Sequence, residues 1–130
     1  MSSVRNMIDS NTVCLVGSAP DFAFGIVDPI PALSVLALEF GINLHVDACM
    51  GGYIMAFTEA AGFKVPHEFD FKVPGVTSIS CDPHKYCRGP KGCSVLMFRT
   101  KELRRLTFSP VSDWSGGLYV TPTLAGTRSG

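Results

Sequence analysis

Two short runs of apolar, β-forming residues, 12–17 (TVCLVG) and 42–46 (INLHV), are separated by one segment of helical periodicity, and this spacing constrains the fold more than any other feature. Between them, SAPDFAFGIVDPIP carries too many prolines and turn residues for regular structure. Leu33, Leu36, Ala37 and Phe40 then fall at helical spacing, which predicts a helix over 32–40. Pro29 and Pro31 suit its first turn and Gly41 its stop. Strand, helix, strand of this length implies a parallel crossover unit, and the second strand ends on Asp47.

The rest of the chain extends that unit. YIMAFTEAAG (53–62) reads as a mostly apolar helix, and the proline-containing loop KVPHEFDFKVPG leads to a third strand over 76–80. CDPHKYCRGPKG has the chemistry of a loop. CSVLMF (93–98) reads as a fourth strand, able to return antiparallel because only that loop separates it from the third. Residues 101–106 predict a short polar helix, and SPVSDWSGGLYVTPTLAGTRSG reads as loop with no element to seal a core. The fold class is therefore α/β, a mainly parallel sheet flanked by helices. At 130 residues the chain holds one core and not two. Hydrophobic residues make up 46% and charged ones 17%, against about 25% charged on average, so the chain is expected to be an incomplete piece whose partner surface is missing.

Charge and cysteine content exclude several functions. Eleven basic and eleven acidic residues cancel without forming a basic stripe, which gives nucleic-acid binding no support. The five cysteines show no C-x-x-C spacing and read as reduced thiols, with no metal site. No apolar run approaches the length needed to span a bilayer, and the N-terminal residues lack the pattern of a secretory signal.

Chemistry in open α/β sheets gathers beyond the carboxyl ends of the parallel strands, where Asp47 and the 80–85 loop fall. A carboxylate ending an apolar strand is costly unless a cation or hydrogen bonds meet it. A partly desolvated lysine beside a strand end, as Lys85 is beside His84, is expected to have its pKa lowered towards nucleophilic use. Taken separately, a cap aspartate and a solvated lysine explain each residue as well.

Together, LHVDACMGG followed by SISCDPHKYCRGPKG resembles the cofactor core of the group II pyridoxal-phosphate-dependent decarboxylase superfamily. Within it, DPIPAL, FDFKVPGVTSIS, the PKG after the lysine and DWSGGLYVTPTLAGTRSG resemble the sphingosine-1-phosphate lyase branch. The likeness runs from about Thr12 to the end of the chain. It implies that residues 1–130 are part of the large, cofactor-binding domain of a fold-type I enzyme, with the phosphate-cradling segment and the small C-terminal domain outside this sequence. It implies pyridoxal 5'-phosphate as cofactor, Lys85 as the catalytic Schiff-base lysine and Asp47 as partner of the pyridine nitrogen. His84 would lie near the cofactor phosphate and Ser18 close to the ring. Lys91 would bind substrate phosphate, although a solvated surface lysine explains it equally well.

His45 shares Asp47's side of the strand by alternation and reads chiefly as a structural histidine. Gly116 and Gly117 resemble a loop that approaches the cofactor of a neighbouring subunit, and Trp114 and Tyr119 read as packing residues. Pro83 and Cys87 depart from the family pattern. The implied activity is carbon–carbon cleavage of a phosphorylated sphingoid base, in a homodimer at the endoplasmic reticulum with its catalytic part facing the cytosol. The alternatives are an amino-acid decarboxylase of the same superfamily and a catalytically inactive fragment.

Overall fold

Four strands run side by side in the order β1 (Cys14–Ser18), β2 (Asn43–Asp47), β3 (Val76–Cys81), β4 (Val95–Phe98). The first three are parallel and β4 returns antiparallel, as the short loop before it requires. The molecule is described here by a computed structural model covering residues 1–113 and 115–121.

Helix α2 (Ile30–Phe40) is the crossover between β1 and β2. Pro31 lies in its first turn, and Gly41 closes it at φ 65°, ψ 30°, the left-handed conformation that glycine adopts without Cβ strain. Ile30, Leu33 and Ala37 of this helix bury against Leu44, Val46, Val76 and Ile79. Ile30, Leu44, Val46 and Val76 are fully enclosed, each worth about 1.5–3 kcal/mol of hydrophobic transfer. Helix and sheet approach so closely that a Cβ on Gly17 would sit 2.5 Å from Ile30 Cδ1.

Alternation along the strands separates two faces. Leu44, Val46, Ile79 and Cys81 share the face covered by α2 and α3 (Gly52–Met55), where Gly52 lies against Cys81 and Ala48. His45, Asp47, Ser78 and Ser80 share the other, where Val16 and Leu96 are 62% and 52% exposed.

The strand registers hold one irregularity. Leu44 pairs with Val76 but His45 pairs with Ser78, so Thr77 is an extra residue on β3. Thr77 Oγ1 accepts from the Leu44 amide at 3.2 Å and donates to the Leu44 carbonyl at 3.0 Å, satisfying the backbone that the bulge would orphan.

Several elements depart from expectation. An additional helix, α1 (Ser2–Met7), precedes β1, held by the Arg5–Glu39 ion pair and by Arg5 over the Phe40 ring. The helix expected over 53–62 reduces to the single turn of α3, and the chain then proceeds by turns to Gly62 at φ 85°. Only one edge of this segment meets the sheet, leaving Phe57 68% exposed, so packing does not sustain a longer helix. Helix α4 (Lys101–Arg105) is capped by Thr100, whose side chain accepts from the Leu103 amide. The segment expected to be loop contains a two-stranded pairing of β5 (Pro110–Val111) with β6 (Tyr119–Val120). Tyr119 is 52% exposed in β6 rather than packed inside; Trp114 lies outside the described residues. Exposed apolar groups are abundant elsewhere, with Phe22 and Phe24 more than 80% exposed in the loop after β1, in keeping with the low charged content. No helix among the described residues is long and apolar enough to cross a membrane.

Candidate functional site

The parallel pairing of the three strands ends in one row. Ser18 of β1 is in register with Asp47 of β2, and Asp47 with Ser80 of β3, so three polar residues form a row across the carboxyl edge of the sheet. The turns after the strands are tied together by backbone bonds. The Ala19 amide donates to the Asp47 carbonyl at 2.8 Å, the Ala48 amide to the Ser80 carbonyl at 2.9 Å, and the Asp82 amide to the Cys49 carbonyl at 3.3 Å. Gly51 is required here, because a Cβ would strike Pro20 and the Ala19 carbonyl oxygen.

Asp47 Oδ1 accepts from the Cys49 amide at 3.0 Å and from the Ser80 hydroxyl at 3.2 Å. Burial pushes this carboxyl upward, but the Cys49 amide and thiol, Ser80 and His45 together outweigh it and hold the pKa below the usual carboxylate value. Asp47 is thus an anion at neutral pH, at the carboxyl end of β2.

Lys85 follows β3 in a turn closed by its own amide donating to the Asp82 carbonyl at 3.1 Å. Its Nζ lies 3.0 Å from Asp82 Oδ2, with the lysine side chain 27% and the aspartate 14% exposed. The expectation of a lowered lysine pKa is corrected by this contact. The Cys49 sulfur and the Asp82 carboxylate push the ammonium up and exceed the opposing effect of desolvation. Cys49 therefore acts on both Asp47 and Lys85, and brings the two expected site residues to one place. Asp82 is itself held low: desolvation raises it, while the Ser94 hydroxyl at 2.6 Å and Lys85 lower it further than that.

His84 Nδ1 contacts the Cys93 carbonyl at 2.7 Å, a geometry in which the ring nitrogen must be the donor. Its Nε2 then faces Asp82 Oδ2 at 3.8 Å. Ser18 is fixed through its backbone, its amide donating to Asp28 Oδ2 at 2.7 Å and its carbonyl accepting from the Asp28 amide at 2.9 Å. Lys91 is exposed on the loop before β4 and takes no part in these contacts. Gly116 and Gly117 occupy the turn between β5 and β6, with Gly117 at φ 111°.

Sequence reasoning passed over three members of the site. Cys49 and Asp82 stand two residues beyond Asp47 and three before Lys85, the reach of a turn, and that spacing was the available signal. Ser80 had none, because its facing depends on the Thr77 bulge. No grouping of histidine, cysteine and acidic residues suited to a metal occurs among the described residues.

The residues suit a pyridoxal cofactor in the chemistry they offer. A carboxylate held ionised can meet a pyridinium nitrogen, and a primary amine on the adjoining strand end can meet an aldehyde.

Residues 12–110 match the pyridoxal-dependent decarboxylase conserved domain. The chain is 51% identical over its whole length to a sphingosine-1-phosphate lyase of Arabidopsis thaliana, of which it covers 24%, and 50% identical over its whole length to that of Saccharomyces cerevisiae, of which it covers 22%. It superposes on the solved sphingosine-1-phosphate lyase of Burkholderia pseudomallei with a TM-score of 0.87 at 50% identity, covering 99% of this chain and 29% of that one. The sequence thus spans about a quarter of the length of the curated relatives it matches.

Proposed function

This chain belongs to the pyridoxal-dependent decarboxylase family, and we propose that it carries the central part of the cofactor site of a carbon–carbon lyase acting on phosphorylated sphingoid bases such as sphingosine 1-phosphate. The products would be a fatty aldehyde and phosphoethanolamine. The observation that carries the reading is that Asp47 ends β2 and Lys85 lies in the loop after the adjacent parallel strand β3, the two turns being tied by the Asp82 amide on the Cys49 carbonyl at 3.3 Å. The identity to sphingosine-1-phosphate lyases along the whole chain favours this substrate over the amino acids of other family members.

Pyridoxal phosphate, when bound, supplies the electron sink for the bond-breaking step. Asp47, held ionised, would keep a proton on the ring nitrogen. Lys85 Nζ is the covalent attachment point, and it must first leave Asp82 and give up its proton. Ser18 would stand beside the ring and His84 near the cofactor phosphate, and Lys91 would offer a point charge to the substrate phosphate. Residues 1–130 form part of the large domain, and the remainder of that domain supplies the other phosphate contacts. The complete enzyme is a homodimer in which the turn at Gly116 and Gly117 approaches the neighbouring subunit, and it acts at the endoplasmic reticulum with the site facing the cytosol.

A chimera tests the reading: residues 1–130 replace the matched segment of the Saccharomyces cerevisiae relative, and fatty aldehyde release from sphingosine 1-phosphate is followed by mass spectrometry. Aldehyde release that disappears with Lys85→Ala supports the lyase. A folded chimera without it, but releasing carbon dioxide from an amino acid, would replace the lyase reading by the decarboxylase one.

A further inference from the structure

His45 is not used by the site as derived so far, yet it stands half-buried on the same face of the sheet as Asp47 and Ser80, one pair further from the carboxyl edge. Its Nδ1 lies 2.8 Å from Ser78 Oγ and its Nε2 3.3 Å from Ser80 Oγ, and Ser80 Oγ in turn donates to Asp47 Oδ1 at 3.2 Å. The donor count fixes the direction of this chain. An ionised carboxylate only accepts, so Ser80 spends its single proton on Asp47 and must accept from His45, which makes Nε2 the protonated nitrogen. In the neutral ring Nδ1 is then the acceptor, and Ser78 donates to it. Desolvation holds the imidazole pKa below its usual value despite Asp47, so the neutral ring is the form present at pH 7.

We propose that His45 is a positioning residue that acts through Ser80 on Asp47, in an ordered chain from Ser78 to His45 to Ser80 to the carboxylate. The Thr77 bulge builds it. Had β3 continued from Val76 without the extra residue, Thr77 and Ile79 would stand opposite His45 and Asp47, and both serines would face the α2 side. The chain keeps one carboxylate lone pair occupied and the carboxyl ionised, so that the other oxygen stays available to the cationic group it is to meet. The groups acting on Asp47 are Cys49 in the following turn, Ser80 on β3 and His45 on its own strand. The benefit to a ring nitrogen rests on the reading of Asp47 in the preceding section; the hydrogen-bond chain itself does not.

The test is made on the 130-residue chain by NMR, without cofactor. Long-range proton–nitrogen spectra at neutral pH should show His45 as the neutral Nε2–H tautomer. The Asp47 carboxyl carbon, followed by titration, should have its midpoint raised by on the order of one pH unit in Ser80→Ala, with recovery in Ser80→Thr, which restores the hydroxyl. A purely structural serine would leave that midpoint unmoved. An Nδ1–H tautomer, an imidazolium at pH 7, or an unchanged Asp47 midpoint in Ser80→Ala overturns the proposal. Should the tautomer and midpoint behave as expected while pyridoxal phosphate fails to attach at Lys85, the reading of the site is what fails, and the two outcomes are distinct.

Discussion

Lys85 Nζ rests 3.0 Å from Asp82 Oδ2, three residues earlier in the same turn, so the amine proposed as the nucleophile is stored as an ammonium. Storage of this kind is compatible with function if the incoming cofactor displaces the carboxylate. It makes Asp82 a control on how readily Lys85 reacts.

Replacing Asp82 by Asn should therefore speed attachment of pyridoxal phosphate to Lys85 at pH 7, because a cause of the raised lysine pKa is removed while Oδ1 still accepts from Ser94. Stability should move the other way. The Lys85 contribution is fully present below its usual pKa of 10.5 and is lost as pH rises through the raised value. The Asp82 contribution is present above its usual 3.8 and is lost as pH falls through the lowered value. Urea denaturation should show the variant weaker by about 0.5–1 kcal/mol at pH 7, with the difference vanishing at both extremes of pH.

Asp47→Asn retains an oxygen for the Cys49 amide and the Ser80 hydroxyl but removes the charge. Lyase turnover in the yeast chimera should fall by roughly 10²-fold or more, the scale of losing one preorganised electrostatic contact in a site, with little change in urea midpoint. A stability loss without a turnover loss would make Asp47 a turn residue only.

Thr77→Val leaves the Leu44 amide and carbonyl without the partner that the bulge provides. Two part-buried backbone groups then go unsatisfied, and urea denaturation should show a loss of about 1–3 kcal/mol. The His45 tautomer should become mixed as the Ser78 and Ser80 register loosens.

Much of this was legible in the residues. The crossover from β1 through α2 to β2 followed from periodicity and from Gly41, and the antiparallel return of β4 followed from the short loop before it. Asp47 was expected to end the second strand and Lys85 to lie in the loop after the third, and both positions hold in the structure. What escaped was decided by register and by through-space charge. A bulge at Thr77 inverts which β3 side chains face Asp47, and no local propensity distinguishes Thr77 from an ordinary strand threonine. The direction of the lysine's pKa was misjudged because burial was weighed without Cys49 and Asp82, which come up against Lys85 only in the folded turns. The short α3 reflects missing packing around Phe57, a tertiary effect that the apolar composition of 53–62 conceals.

The central claim is that Lys85 is where the cofactor attaches. Incubating the yeast chimera with pyridoxal phosphate, reducing with borohydride and mapping the pyridoxyl adduct by peptide mass spectrometry tests it directly. The account expects a single adduct on the peptide containing Lys85, absent after Lys85→Ala. An adduct on Lys91 or another lysine, with Lys85 unmodified in folded protein, would contradict it.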